Sequence, residues 1–143
     1  MSEIDAIGSG DGRILVVEDN PDNMTLIEYL LRAHGFEPLL ARNGADGLAL
    51  AIEHRPDVVL LDLRMDGMDG FEVATEIRRR PELGGVRLVA VTASVMAGDL
   101  ERITGAGFDG YIPKPIEPTT FVTEVRRFLP GDAVGAGTAA GTP

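Results

Sequence analysis

Between Arg13 and Leu129, aliphatic runs of strand length alternate with longer stretches whose apolar residues recur at helical spacing. That alternation predicts successive βα units wound around a parallel sheet, and five units can be counted along the chain. The first run, Ile14-Leu15-Val16-Val17, closes in Glu18-Asp19-Asn20-Pro21, where Asn20 suits a helix cap and Pro21 the first helical position. Met24, Ile27, Leu30 and Leu31 then share one helical face, and Gly35 is placed to stop the helix. Residues 37–41 read as a second, weaker strand, and Ala45, Leu48, Ala49 and Ile52 stripe the helix after it. Val58-Val59-Leu60-Leu61 runs into Asp62, and beyond a loop of Gly, Asp and Met the residues Phe71, Ala74 and Ile77 mark a third helix. A fourth strand over 88–91 ends in Thr92, with Met96, Leu100 and Ile103 setting a helix ahead of Gly105-Ala106-Gly107. Tyr111-Ile112 leads into Pro113-Lys114-Pro115, after which Phe121, Val125 and Phe128, flanked by Val122 and Leu129, form the most distinct amphipathic stripe.

Strands one, three and four are continuous aliphatic runs, the mark of strands covered by helices on both faces of a parallel sheet. Strands two and five carry Pro38 and Pro113, which lack a backbone donor and belong at a sheet edge or strand end. The predicted fold is therefore α/β, a flavodoxin-like, doubly wound five-stranded parallel sheet of order 2-1-3-4-5 with five helices on its two faces. One domain over residues 13–129 accounts for the apolar pattern. Residues 1–12 and the Gly/Ala-rich 130–143 hold too little apolar surface to offset ordering entropy and read as flexible tails.

Composition narrows the function. The chain has 143 residues, 44% of them hydrophobic, which suits a single core. Its 23 acidic against 13 basic residues give a net charge of −10, so a nucleic-acid backbone would be repelled and binding to it is not expected. The absence of cysteine removes disulfides, thiolate metal sites and thiol nucleophiles. No apolar run reaches membrane-spanning length, and the first residues lack the basic and apolar regions of a secretory signal, so the expected location is cytoplasmic, with no membrane partner.

In open α/β sheets, ligands bind beyond the carboxyl ends of the strands, near the point where strand order reverses. Glu18 and Asp19 follow strand one, Asp62 ends strand three, Thr92 ends strand four and Lys114 follows strand five. Carboxylates converging there would hold protons unless a cation neutralised them, and hard oxygen ligands suit Mg²⁺. With metal and ammonium neutralising the approaching charge, a carboxylate at Asp62 can attack phosphorus, while Lys114 and the Thr92 hydroxyl meet the other phosphoryl oxygens. Lys114 is the only lysine beside twelve arginines, which hints that a compact point charge is needed at that turn.

Glu18-Asp19, Asp62, Thr92-Ala93 and Lys114-Pro115, in this order and at these separations, resemble the receiver domain of two-component response regulators, the CheY-like family. The opening Val-Glu-Asp-Asn-Pro-Asp-Asn-Met and the Ala-Val-Thr-Ala run bring the resemblance nearest to stand-alone cell-cycle receivers of the DivK type. The resemblance implies that Asp62 is phosphorylated, that Asp19, Asp62 and the Arg64 backbone carbonyl hold Mg²⁺ with Glu18 assisting through metal-bound water, and that Thr92 and Lys114 hold the phosphoryl group. It further implies a switch pairing Thr92 with Tyr111, a cis peptide between Lys114 and Pro115, and lifetime tuning at Arg64 and Ser94. The implied donors are a histidine kinase or a histidine phosphotransfer protein, docking near Pro21, Met24, Pro115 and Ile116. Output would pass to a downstream protein target from a monomer or weak homodimer. The expected role is a signalling switch, not an enzyme. The loop after Asp62 departs from the family in lacking its usual proline.

Three other readings compete. An aspartyl phosphatase or phosphotransferase of haloacid-dehalogenase type wants an acid where Arg64 stands, and a flavodoxin wants phosphate donors where Glu18-Asp19 stand. The chain could also be a piece of a hybrid kinase. Among bland readings, Arg78-Arg79-Arg80 is taken as a solvated helix end favoured by the helix dipole, and the Asp66 to Asp69 cluster lacks the ligand pattern of a calcium loop.

Overall fold

The computed structural model describes residues 12–93, 95 and 97–130. Most of both expected tails, and the expectations for Ser94 and Met96, lie outside the described residues. The elements run β1 (Ile14–Val17), α1 (Pro21–Ala33), β2 (Leu39–Ala41), α2 (Gly44–His54), β3 (Val58–Asp62) and α3 (Gly70–Arg78). A 3₁₀ turn (Pro81–Leu83), β4 (Arg87–Thr92), α4 (Ala97–Gly105), β5 (Gly110–Pro113) and α5 (Phe121–Arg126) complete the chain. All strand pairs are parallel and the order is β2-β1-β3-β4-β5.

Side chains alternate across the sheet, so each central strand feeds two cores. Ile14, Val16, Val58, Leu60, Val89 and Val91 pack on the α1 and α5 side, joined by Ile27, Leu31, Phe121 and Val125. Leu15, Val17, Val59, Leu61, Leu88 and Ala90 pack on the opposite side with Val73, Ala74 and Ile77 of α3 and Ile103 of α4. Every residue of β1 and β3 is buried, whereas β2 and β5 are only partly covered, as edge strands are. Pro38 precedes β2 and shortens it from the five residues expected to three. α1 starts as its sequence demands: the Asn20 side chain accepts from the Asn23 N–H at 2.9 Å and Pro21 occupies the first position. α3 opens on a reciprocal capping box between Asp69 and Glu72.

Several predicted faces are corrected. In α2 the buried residues are Gly44, Gly47 and Ala51, and Ala45 and Ala49 are exposed, whereas Leu48 and Ile52 are partly buried and pack against the core as expected. The helix is pressed so close to β1 that a β-carbon on Gly47 would stand 2.6 Å from Val17 Cγ2. Phe71 is partly buried and packs against the same core as Ala74 and Ile77, as expected, whereas Leu100 is 40% exposed on α4. The arginine triplet is not uniformly solvated. The Arg78 guanidinium donates to the Gly107 carbonyl at 3.0 Å, the Val86 carbonyl at 2.8 Å and the Asp109 carboxylate at 3.0 Å. Asp109 also accepts from the Leu88 N–H at 2.8 Å. One planar fork thus ties α3 to the entrances of β4 and β5, at the edge of the sheet opposite the acidic strand ends.

Candidate functional site

The carboxyl ends of β1, β3, β4 and β5 place the polar residues, because each strand terminates where its side chain leaves the core. Glu18, Asp62 and Thr92 are buried, with 1%, 5% and 3% exposure, and Asp19 is exposed at the rim. Burial of two neighbouring carboxylates has no structural justification of its own, since each loses hydration. One oxygen from each of Glu18, Asp19 and Asp62 falls within a mutual distance of 4.8 Å.

The Glu18 backbone N–H donates to the Ala41 carbonyl at 3.0 Å, and its Oε2 accepts from the Asn20 N–H at 3.2 Å. Lys114 Nζ donates to Glu18 Oε2 at 3.2 Å and lies 3.1 Å from Oε1 and 3.5 Å from Asp62 Oδ2. The Lys114 N–H donates to the Thr92 carbonyl at 2.8 Å, which locks the end of β5 to that of β4. The Lys114-Pro115 peptide bond is cis. Arg64 enters the site through its backbone N–H, which donates to Asp62 Oδ1 at 3.2 Å.

The electrostatics are unbalanced. Burial, then the facing Glu18 carboxylate, push the Asp62 carboxyl from its ordinary 3.8 up to about 6, against the lowering influence of Lys114 and the Arg64 N–H. Glu18 and Asp62 share one ammonium, with Asp19 a third acid beside them. Glu18 Oε1, although close to Lys114 Nζ, is buried without a hydrogen-bond partner among the described residues. An orphaned buried carboxylate oxygen, inside a set of hard donors carrying surplus negative charge, fits a divalent cation such as Mg²⁺.

A cleft of about 390 Å³ opens beside the cluster, lined among others by Asp19, Arg64, Asp66, Thr92 and Arg102. Its outer wall is a contact not anticipated from the sequence: the Arg102 guanidinium lies 3.9 Å from the centre of the Phe71 ring, which also meets Phe108 edge to face at 6.1 Å. The contact joins α3 to α4, and no local spacing announces it.

The remaining expected site residues separate. Tyr111 points outward, 43% exposed, while Thr92 is buried. Pro21 and Pro115 are exposed beside the site, but Met24 and Ile116 are 3% and 6% exposed and belong to the core on the α1 and α5 side, so they offer no docking surface. Met24 shares the buried face of α1 with Ile27, Leu30 and Leu31.

The family model described as response regulator receiver domain matches residues 14–126. The polar-differentiation response regulator DivK of Brucella anthropi is 42% identical over 120 residues, covering 84% of this chain and 97% of that protein. Its counterpart in Brucella ovis is 40% identical over the same shares. Among solved structures, the chemotaxis protein CheY4 of Vibrio cholerae superposes with a TM-score of 0.78 at 26% identity, covering 82% of this chain and 98% of that one. The receiver domain of a sensor histidine kinase of Pseudomonas aeruginosa, with a magnesium ion coordinated in its active-site cleft, gives a TM-score of 0.75 at 34% identity, covering 82% and 96%.

Proposed function

Because the chain belongs to the response regulator receiver family, we propose that it is a two-component switch phosphorylated on Asp62 by a histidine kinase or a histidine phosphotransfer protein. The observation that carries this is the pairing of a buried carboxylate with a lysine ammonium 3.5 Å away, inside a cluster of further acids. In the transfer an Asp62 carboxylate oxygen attacks the phosphorus of phosphohistidine. The new O–P bond forms as the P–N bond breaks, and the departing electron pair returns to the imidazole nitrogen. Lys114 holds a point charge against the incoming phosphoryl oxygens, and the Thr92 hydroxyl, at the end of β4, is the donor for another. The Arg64 N–H fixes one Asp62 oxygen and thereby leaves the other to react.

Glu18, Asp19, Asp62 and the Arg64 carbonyl are the ligands assigned to Mg²⁺. The ion, when bound, supplies the neutralisation that lets a dianionic phosphoryl group approach the acids. Thr92 moving toward the phosphoryl group would vacate room beside β5 for the exposed Tyr111 ring, and the surface of α4, β5 and α5 would change with it. The output is a changed contact with a protein target, made by a stand-alone receiver in the cytoplasm. Pro21 and Pro115 are the exposed apolar groups on which the phosphodonor's helices would rest.

Incubation with acetyl phosphate and Mg²⁺, followed by intact-mass measurement, tests the reading. One phosphoryl group should add to the wild type and none to Asp62→Asn. Undiminished modification of Asp62→Asn would remove Asp62 from the role.

A further inference from the structure

The loop that follows Asp62 closes on itself at Gly70, whose N–H donates to the Leu63 carbonyl at 3.1 Å. At that point two stretches of backbone touch. A β-carbon on residue 70 would stand 2.4 Å from the Asp62 carbonyl oxygen and 2.8 Å from Leu63 Cα. Neither neighbour is the movable end of a side chain. Both are the backbone of the phosphoacceptor segment, so any larger residue must push that segment aside. Gly70 is also the first residue of α3. The Asp69–Glu72 capping box fixes where that helix begins: Asp69 Oδ1 accepts from the Glu72 N–H at 3.0 Å and Glu72 Oε1 accepts from the Asp69 N–H at 2.9 Å.

These contacts form a chain that ends on the reacting carboxylate. The box seats Gly70, Gly70 holds Leu63, and the next residue's N–H, that of Arg64, donates to Asp62 Oδ1. The far side of the loop is braced separately, because a β-carbon on Gly44 of α2 would stand 2.4 Å from the Met68 carbonyl oxygen. The loop lacks the proline that would stiffen it from within, so its shape is set by these external seats.

We propose that Gly70, seated by the Asp69–Glu72 capping box, is a positioning residue for phosphotransfer, fixing the backbone from which the Asp62 carboxylate is presented. The proposal rests on Asp62 being the phosphoacceptor. It requires that the cap act on the reaction and not only on helix stability, because a shift of a fraction of an ångström at Leu63 is passed to the Arg64 N–H and so to the carboxylate it orients.

Initial rates of phosphorylation by acetyl phosphate at saturating Mg²⁺ are compared among variants, alongside thermal melting. Gly70→Ala should phosphorylate at least roughly tenfold more slowly than wild type. Gly110→Ala is the control. A β-carbon there would stand 2.6 Å from the Phe128 ring, a side chain able to shift, and its rate should stay within about twofold of wild type. Should Gly70→Ala fail to fold, the cap decides alone: Asp69→Ala should slow the reaction several-fold and Asp69→Asn, which keeps the acceptor oxygen, should restore it. Wild-type rates in Asp69→Ala, or in a folded Gly70→Ala, would overturn the proposal while leaving the phosphoacceptor reading intact. Absence of any modification on the wild type would instead remove that reading, and the proposal with it.

Discussion

Replacing Asp62 with Asn should make the metal-free protein more stable at neutral pH, although it removes the proposed phosphoacceptor. The carboxyl is held at about 6 in the fold against an ordinary 3.8, and a displacement of that size corresponds to about 3 kcal/mol between the two protonation states. The folded chain keeps its proton on Asp62 up to about pH 6, whereas the unfolded chain releases it near 3.8. Between those values the folded form binds more protons, so this group's contribution to stability falls as pH rises through the window. The penalty is absent below the window and fully present above it. Asn has nearly the same shape and no charge, so the variant should gain about 2–3 kcal/mol at neutral pH, or roughly 10 °C in melting temperature for a domain of this size. Near the acid end of the window the gain should vanish.

The assay is thermal unfolding of both proteins in EDTA across that pH range, repeated with saturating Mg²⁺. Other carboxylates titrate in both proteins, and the difference between them isolates residue 62. Added metal should stabilise the wild type by about 2.7 kcal/mol at a hundredfold excess over its dissociation constant and the variant by less, shrinking the gap. A variant less stable than wild type in EDTA at neutral pH, or a gap independent of pH, would refute the argument that this site holds uncompensated charge.

Two further outcomes follow from named contacts. Lys114→Met leaves Glu18 and Asp62 buried without their ammonium, so unfolding in EDTA should show a loss of about 3 kcal/mol, partly recovered by Mg²⁺, and acetyl phosphate labelling should slow by about a hundredfold. Arg78→Ala removes three guanidinium contacts at the opposite edge of the sheet; denaturant titration should show a loss of about 2–4 kcal/mol, with the labelling rate of the folded fraction unchanged and little recovery in Arg78→Lys, whose single ammonium cannot span the three acceptors.

What the sequence shows and what it hides divide along one physical line. Strand order was legible because β1, β3 and β4 each carry an unbroken aliphatic run while Pro38 and Pro113 mark the edges, and each of those is a property of the residue itself. Given that order, the gathering of Glu18, Asp19, Asp62, Thr92 and Lys114 at one rim follows from topology alone. The face of α2 was legible only in part: Leu48 and Ile52 do pack against the core, but counting apolar side chains cannot find a surface made by their absence, and Gly44 and Gly47 let the helix approach the Met68 carbonyl and Val17 so closely that no β-carbon fits. Arg78 and Arg102 were hidden for the complementary reason. Their partners, Gly107, Val86 and Asp109 for one and Phe71 for the other, sit on different elements, so no spacing along the chain records them. The position of Asp62 was plain from the end of strand three, but its orientation depends on Gly70 lying against the backbone of Asp62 and Leu63, a fact carried by a hydrogen atom where other residues have a side chain. The side chains that gather at the strand ends are therefore visible in the sequence, while the contacts that seat their backbone are in part visible only once the fold is in place.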